Sequence, residues 1–377
     1  MRVALVTNIC SPYRVPVWHE LGKQVEALRV FVSAPKEPNR IWTISVPEDS
    51  TFECRVLPGK SLFLARQDWG VHWNPSIWRE LGDFKPTHII VTGYETPTYL
   101  LTFAYSRLKR IPLVLWWGSH VYSSRVKEGI IASVRKAILK SADAYITYGT
   151  LATRFLANIG IDLSAVVTGT NTADTDQLIK GIEMYAQPSV AHEDVVRFLF
   201  VGQLIERKGV RELLEAFRHL PKGRAELYIV GYGPLERELR SFAEAHGMVN
   251  VKFVGGTRTS YETARYYSMA DVLVLPSLRE VWGLVINEAL AAGLWVLASK
   301  YSGAALDLIE RAPFDVGTVF DPRDQNSFIR ALRVAMDKSK NREMNKIKNW
   351  GLRFTAKKYA DSILASLDLA GRRMRRS

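Results

Sequence analysis

Two glutamates with seven residues between them, Glu280 and Glu288, and a basic pair, Arg207 and Lys208, are the side chains best suited to chemistry in this sequence. A carboxylate ionised at neutral pH only accepts hydrogen bonds, so the glutamates suit hydroxyl donors rather than phosphate. Arginine grips an oxyanion with a planar fork and lysine meets it as a point charge, so the basic pair suits a diphosphate. The glutamates lie in ADVLVLPSLREVWGLVINEALAAG, residues 270–293. Its apolar run at 272–275 is short enough for a buried parallel strand, which Pro276 and Ser277 end. Beyond Trp282 and Gly283 the composition turns helical, and Gly293 supplies the left-handed stop. A helix that starts at a glycine directly after a strand presents the unpaired N–H groups of Gly283, Leu284 and Val285, which is an anion site. Diphosphate donors beside hydroxyl acceptors describe a nucleotide sugar as ligand. The glutamates alone do not carry that conclusion, because two at this spacing read more readily as solvated charges flanking a core helix.

Other segments supply supporting chemistry. VGQLIERKGV, residues 201–210, ends a strand at Gly202, places Arg207 and Lys208 in the loop, and leads into a helix with Leu213, Leu214 and Phe217 on one face. IVGYGPL, residues 229–235, is a glycine-rich turn in which Gly231 lets backbone approach a nucleotide or its phosphates. The stretch 251–271 gives strand, loop and helix, a wall for a base. In the first half, Arg14 ends the loop after the first strand and could meet a phosphate or an acceptor carboxylate, although an arginine opening a surface helix is the commoner case. LVLWWGSH carries His120 to the end of a strand, where it could polarise a sugar hydroxyl or support an acceptor, against the plain alternative of a structural histidine. Asp143 reads as a cap or packing residue, and Asn171 and Asp174 as loop residues closing the first half.

These residues need a scaffold that brings strand ends together. Apolar strands at 3–7, 28–32, 88–91, 113–116, 144–147 and 166–168 alternate with helical stretches. A second series follows at 198–201, 227–230, 251–254, 272–275, 295–298 and 318–320. The alternation predicts an α/β chain of two doubly wound parallel-sheet, Rossmann-like domains facing across a cleft, with ligands at the carboxyl ends of the strands. The expected division is 1–186 for an acceptor-side domain and 195–349 for a nucleotide-sugar domain. An amphipathic helix over 350–369 then crosses back to the first domain, within a final segment 350–377 that ends in a basic tail.

At 377 residues with 47% hydrophobic and 11% aromatic content, the chain can bury two cores. No apolar run is long enough to span a membrane, and the first residues read as a strand rather than a signal peptide. Cys10 and Cys54 match no metal-ligand spacing and make no disulfide framework, so a cytoplasmic setting is expected. The formal charge of +13 implies an anionic partner. Its clusters are Arg107, Lys109 and Arg110; Arg125, Lys127, Arg135, Lys136 and Lys140; and Arg372, Arg373, Arg375 and Arg376. They suit peripheral contact with the inner face of an anionic membrane, at about 1 kcal/mol per residue, or are simply solvated faces. Nucleic acid is the poorer partner, since no nucleic-acid motif accompanies the charge.

The succession VGQLIERKGV, IVGYGPLE, VKFVGG and ADVLVLPSLREVWGLVINEALAAG resembles the donor-binding domain of retaining family 4 glycosyltransferases of the GT-B type. It covers most of 196–300, in the family's order and spacing. The first half matches more loosely, through SPYRVPVWHEL, the loop ending in His120, and the region from SADAYITYG to TGTNTAD. The resemblance implies transfer of a hexosyl or N-acetylhexosaminyl group, with retention and without a required metal or cofactor. The donor would be a UDP- or GDP-sugar, and the acceptor a cell-surface glycan or lipid-linked saccharide. By matching position, Glu280 would bind sugar hydroxyls near the reacting centre, Glu288 the nucleotide ribose and Lys208 the diphosphate. Gly283 and Leu284 would supply backbone amides. One position departs from the pattern: Gln203 stands where the family usually has an arginine, which leaves Arg207 as the compensating cation. A nucleotide-sugar 2-epimerase of the same fold and a non-catalytic anion-binding protein are the alternatives.

Overall fold

The computed structural model describes residues 1–38, 46–64, 69–124, 129–185 and 194–375. The chain divides into two compact units. One is Met1–Asn171 with Ala356–Ser377, the other Thr172–Thr355. Of the segment between the two expected domains, 187–194, residues 187–193 lie outside the described residues, as do residue 186, Arg125, Lys127 and Arg376.

The first unit is built on β1 (Arg2–Thr7), β2 (Ala27–Val32), β3 (Glu53–Val56), β4 (Lys60–Leu64), β5 (Trp69–Trp73), β6 (His88–Val91), β7 (Leu113–Trp117), β8 (Ala144–Thr147) and β9 (Val166–Thr168). Seven of these form one parallel sheet in the order β3-β2-β1-β6-β7-β8-β9. Its central strands are apolar at nearly every position because helices cover both faces, which is why the sequence shows them as uninterrupted runs. Strand β3 and the antiparallel hairpin β4–β5 were not anticipated. Polar residues interrupt β3, which lies at the sheet edge with most of its residues exposed, so it carries no apolar run.

The helix Ala356–Met374 closes this unit by packing Tyr359, Ala360, Ile363, Leu367 and Ala370 against the sheet face that includes Trp116. Trp116 Nε1 donates to the Tyr359 hydroxyl at 2.6 Å. The single helix expected over 350–369 is in fact two, Met344–Gly351 and Ala356–Met374. Gly351 presses backbone to backbone on Ala291, and Trp350 Nε1 donates to the Leu308 carbonyl at 2.9 Å, so the first piece stays with the second unit.

The second unit carries β10 (Val196–Val201), β11 (Ala225–Val230), β12 (Val251–Gly255), β13 (Val272–Leu275), β14 (Trp295–Ser299) and β15 (Gly317–Phe320). All are parallel, in the order β12-β11-β10-β13-β14-β15. Counted along the chain this is 3-2-1-4-5-6, the order of a doubly wound dinucleotide-type sheet, whose winding reverses between β10 and β13. The helix Leu284–Ala291 ends as its composition predicts. Gly293 has φ 79°, its N–H bonds the Leu290 carbonyl at 3.0 Å, and the Leu294 N–H bonds the Ala289 carbonyl at 2.9 Å. Thr259 caps the helix Ser260–Met269 by accepting from the Glu262 N–H at 3.1 Å. Among the described residues no helix is long and apolar enough to cross a membrane.

Candidate functional site

The loops that leave β10 and β13 meet at the reversal point of the second sheet. The first carries Arg207 and Lys208, the second Glu280 and the turn at Gly283. Two backbone hydrogen bonds lace the loops: the Leu278 N–H to the Arg207 carbonyl at 2.9 Å and the Arg279 N–H to the same oxygen at 3.3 Å. Gly209, at φ 68°, lies so close to the Pro276 carbonyl that no side chain fits between them. Lys208 Nζ donates to Glu280 Oε2, Ser277 Oγ donates to the same oxygen at 3.2 Å, and Arg207 Nη1 stands 3.9 Å away. Burial pushes the Glu280 carboxyl up. The charges of Lys208 and Arg207 and the Lys208 and Ser277 hydrogen bonds outweigh it and hold the group below the usual carboxylate range.

Three residues beyond Glu280, Gly283 adopts φ 99°, a conformation glycine reaches without strain. A Cβ there would meet Leu275 Cδ2 at 2.7 Å and Ser302 Oγ at 2.8 Å. Ser302 Oγ in turn donates to the Trp282 carbonyl, and Trp282 Nε1 donates to Asn287 Oδ1 at 2.9 Å, so the start of the helix is pinned on two sides. The first turn of Leu284–Ala291 presents N–H groups that have no intrahelical partner. On the other side of β10, Gly231 and Gly233 press against the backbone of Gly202 and Leu204, and the Leu204 N–H bonds the Tyr232 carbonyl at 2.8 Å. The glycines of IVGYGPL therefore serve close packing of the β10 and β11 loops.

Glu288, on the same helix, accepts a hydrogen bond of 2.5 Å from the Tyr267 hydroxyl. Burial pushes its carboxyl up to about 7; the Tyr267 hydrogen bond opposes the shift and the nearby Asp174 charge adds to it. The expectation that Glu288 is an ionised acceptor throughout the neutral range is thus corrected, since near pH 7 a large fraction carries a proton. Burial also raises Asp174 above the usual carboxylate range.

In the first unit, His120 is 1% exposed. Its backbone N–H takes a hydrogen bond to Ser123 Oγ at 2.8 Å, and its ring stands edge-on to Tyr122. Asp143 accepts from the Leu113 N–H at 2.8 Å and pairs with Arg107, the packing role expected. Arg14 opens the helix Val15–Gly22 as its N-cap residue, but not at the surface; it is buried among aromatic rings and donates to Asn171 Oδ1 at 2.8 Å. Among the described residues no group of three or more His, Cys, Asp or Glu is placed to hold a metal. In the sequence Ser277 reads only as a residue that ends the strand, and Tyr267 and Ser302 went unnoticed. Tyr267 and Ser302 lie 21 residues before Glu288 and 22 residues after Glu280, with no local motif to mark them.

Residues 182–349 match the family described as glycosyl transferases group 1. The sulfoquinovosyl transferase SQD2 of Arabidopsis thaliana is 23% identical over 337 residues, 86% of this chain and 62% of its own length. The lipopolysaccharide glucosyltransferase WaaG of Escherichia coli K12 is 31% identical over 170 residues, 44% of each chain. The matches thus span less than two thirds of either relative. The crystal structure of Anabaena Alr3699/HepE in complex with UDP superposes with a TM-score of 0.76 at 15% identity, over 98% of this chain and 100% of that one. The fold of the whole chain is accordingly the GT-B type, two doubly wound parallel-sheet units, and the match to the glycosyl transferases group 1 family falls on 182–349, which includes the laced β10 and β13 loops.

Proposed function

We propose that the chain is a retaining glycosyltransferase that moves a hexosyl or N-acetylhexosaminyl group from a nucleotide diphosphate sugar to a glycan or lipid-linked saccharide. The observation that carries this reading is the bond from Lys208 to Glu280. It ties the basic loop after β10 to the Gly283 turn after β13, at the point of the sheet where ligands of this fold class bind. The superposing HepE structure holds UDP, and UDP is the nucleotide we assign.

The site works by exchange. A diphosphate arriving at the Gly283 turn takes the Lys208 ammonium and the helix N–H groups as partners. Glu280 then turns its carboxylate to the sugar hydroxyls, and Glu288 receives the ribose hydroxyls. As the sugar–phosphate bond breaks, charge accumulates on the departing phosphate, where Lys208, Arg207 and the first helical turn meet it without reorganising. That phosphate oxygen takes the proton of the acceptor hydroxyl, so the mechanism needs no protein nucleophile. Gln203 supplies no cation, and Arg207, within reach of Glu280, serves in its place. His120 is assigned to the acceptor side. The exposed Lys109, Arg110, Lys136 and Lys140 suit an acceptor held at an anionic membrane face.

The test is a thermal-shift panel of UDP-, GDP-, ADP- and dTDP-sugars. A ligand at a hundred times its dissociation constant stabilises the folded state by roughly 2.7 kcal/mol. A UDP-sugar should raise the melting temperature of the wild type and not of Lys208→Ala. Equal response to all nucleotides, or a response that Lys208→Ala leaves intact, would sink the assignment and favour a non-catalytic anion-binding protein. Release of free sugar or its isomer without acceptor would favour an epimerase.

A further inference from the structure

Arg14 is the cation that the donor chemistry leaves unused. It closes a short turn, Pro12–Arg14, directly after β1, and is only 9% exposed. Its guanidinium carbon lies 4.5 Å from the Trp116 ring centroid, 4.8 Å from that of Tyr148 and 5.6 Å from that of Tyr13. Nη1 donates to Asn171 Oδ1 at 2.8 Å, and among the described residues no carboxylate forms an ion pair with it. The cage is shaped for this side chain. A Cβ at Gly118 would strike the Tyr148 ring at 2.5 Å, and one at Gly169 would strike the ring of Tyr359, whose hydroxyl is held by Trp116 Nε1.

A buried cation facing ring systems, one neutral amide and the Tyr148 and Tyr359 hydroxyls has neutral partners but, among the described residues, no counter-charge. Ring faces, an amide oxygen and two phenol hydroxyls recover part of the lost hydration, and a neutral side chain would pack there at less cost. The missing partner is an anion. The cage also lies at one edge of the sheet: Arg14 closes the turn that follows β1, Trp116 is the penultimate residue of β7, Tyr148 follows β8 and Asn171 comes shortly after β9. All are at the carboxyl ends of parallel strands, the edge on which such sheets bind ligands.

We propose that Arg14 anchors an oxyanion site on the first unit, which takes a phosphate or carboxylate group of the acceptor; the word acceptor rests on the glycosyltransferase reading, the site itself does not. The fork of Arg14 supplies the donors, Asn171 fixes its rotation, and Trp116 and Tyr148 hold its plane.

The test uses the full chain with saturating UDP, which occupies the second unit, and titrates inorganic phosphate while following arginine Nε–H resonances. The Arg14 signal, identified by its absence in Arg14→Lys, should move saturably with phosphate. In parallel melts phosphate should raise the melting temperature of the wild type, with a response at least tenfold weaker in Arg14→Gln. If Arg14→Gln fails to fold, the resonance of the native protein decides. A signal that phosphate leaves in place overturns the proposal and makes the cage purely structural. A signal that UDP moves and phosphate does not overturns the acceptor assignment, because the anion is then the donor's diphosphate. If UDP fails to bind while phosphate still moves Arg14, the glycosyltransferase reading fails and the oxyanion site stands.

Discussion

Replacing Glu288 by Gln tests the electrostatics of the second unit directly. Burial holds this carboxyl near 7, against an ordinary value of 4.5, so between those values the folded protein keeps a proton that the unfolded chain releases. A raised carboxyl contributes most below its unfolded value, and that contribution is lost as pH rises through 7. Above pH 7 the fold carries a buried carboxylate whose cost, from the size of the shift, is about 3 kcal/mol, an upper figure because Glu288 keeps part of its surface in solvent. Glu288→Gln removes that cost while keeping an acceptor for Tyr267. Its melting temperature should match the wild type near pH 5 and exceed it by about 5–10 °C at pH 8.5. UDP binding should show the complementary effect. If ionised Glu288 takes the ribose hydroxyls, wild-type affinity rises up to about tenfold per pH unit toward 7 relative to the variant, in which only the nucleotide's own ionisation remains. Calorimetric titrations and melts from pH 5.5 to 8.5 measure both. Parallel pH profiles for the two proteins would refute the reasoning.

Removing the Tyr267 hydroxyl with Tyr267→Phe takes away a hydrogen bond that favours ionised Glu288, so the pH profile of donor KM should move upward with kcat nearly unchanged. Lys208→Ala should lower the rate of nucleoside diphosphate release by roughly 10²- to 10³-fold without unfolding the protein, as read by steady-state kinetics beside a melt; an unchanged rate would exclude Lys208 from the reaction. Gly283→Ala forces a side chain into φ 99° and against Leu275 and Ser302, and should cost about 1–3 kcal/mol of stability together with nucleotide binding. At Gly231 a Cβ would collide with the Gly202 backbone, so Gly231→Ala should lower the melting temperature by several degrees, where an unstrained exposed site would show almost none.

Much of the architecture was legible in the residues. Parallel strands buried on both faces must be apolar throughout, and every strand expected from such a run is present, β6, β8, β9 and β13 with the predicted ends. The stop at Gly293 and the left-handed entry at Gly283 were equally local, because only glycine takes those conformations without strain. Elements that depend on partners were not legible. The edge strand β3 carries no apolar run, the β4–β5 hairpin rests on pairing between two short segments, and the break near residue 352 falls where Gly351 packs closely on Ala291, distant in the chain.

The same division runs through the candidate site. Sequence by itself determined that a diphosphate cradle could exist, since the residue types and the strand–loop–helix spacing of 201–210 and 270–293 act within one loop each. Only tertiary structure decided that Lys208 clasps Glu280, that burial holds Glu288 near neutrality against the Tyr267 hydrogen bond, and that Arg14 is a caged cation rather than a surface one. Proton affinity and ion pairing depend on which groups share a low-dielectric space, and the register of distant strands sets that sharing.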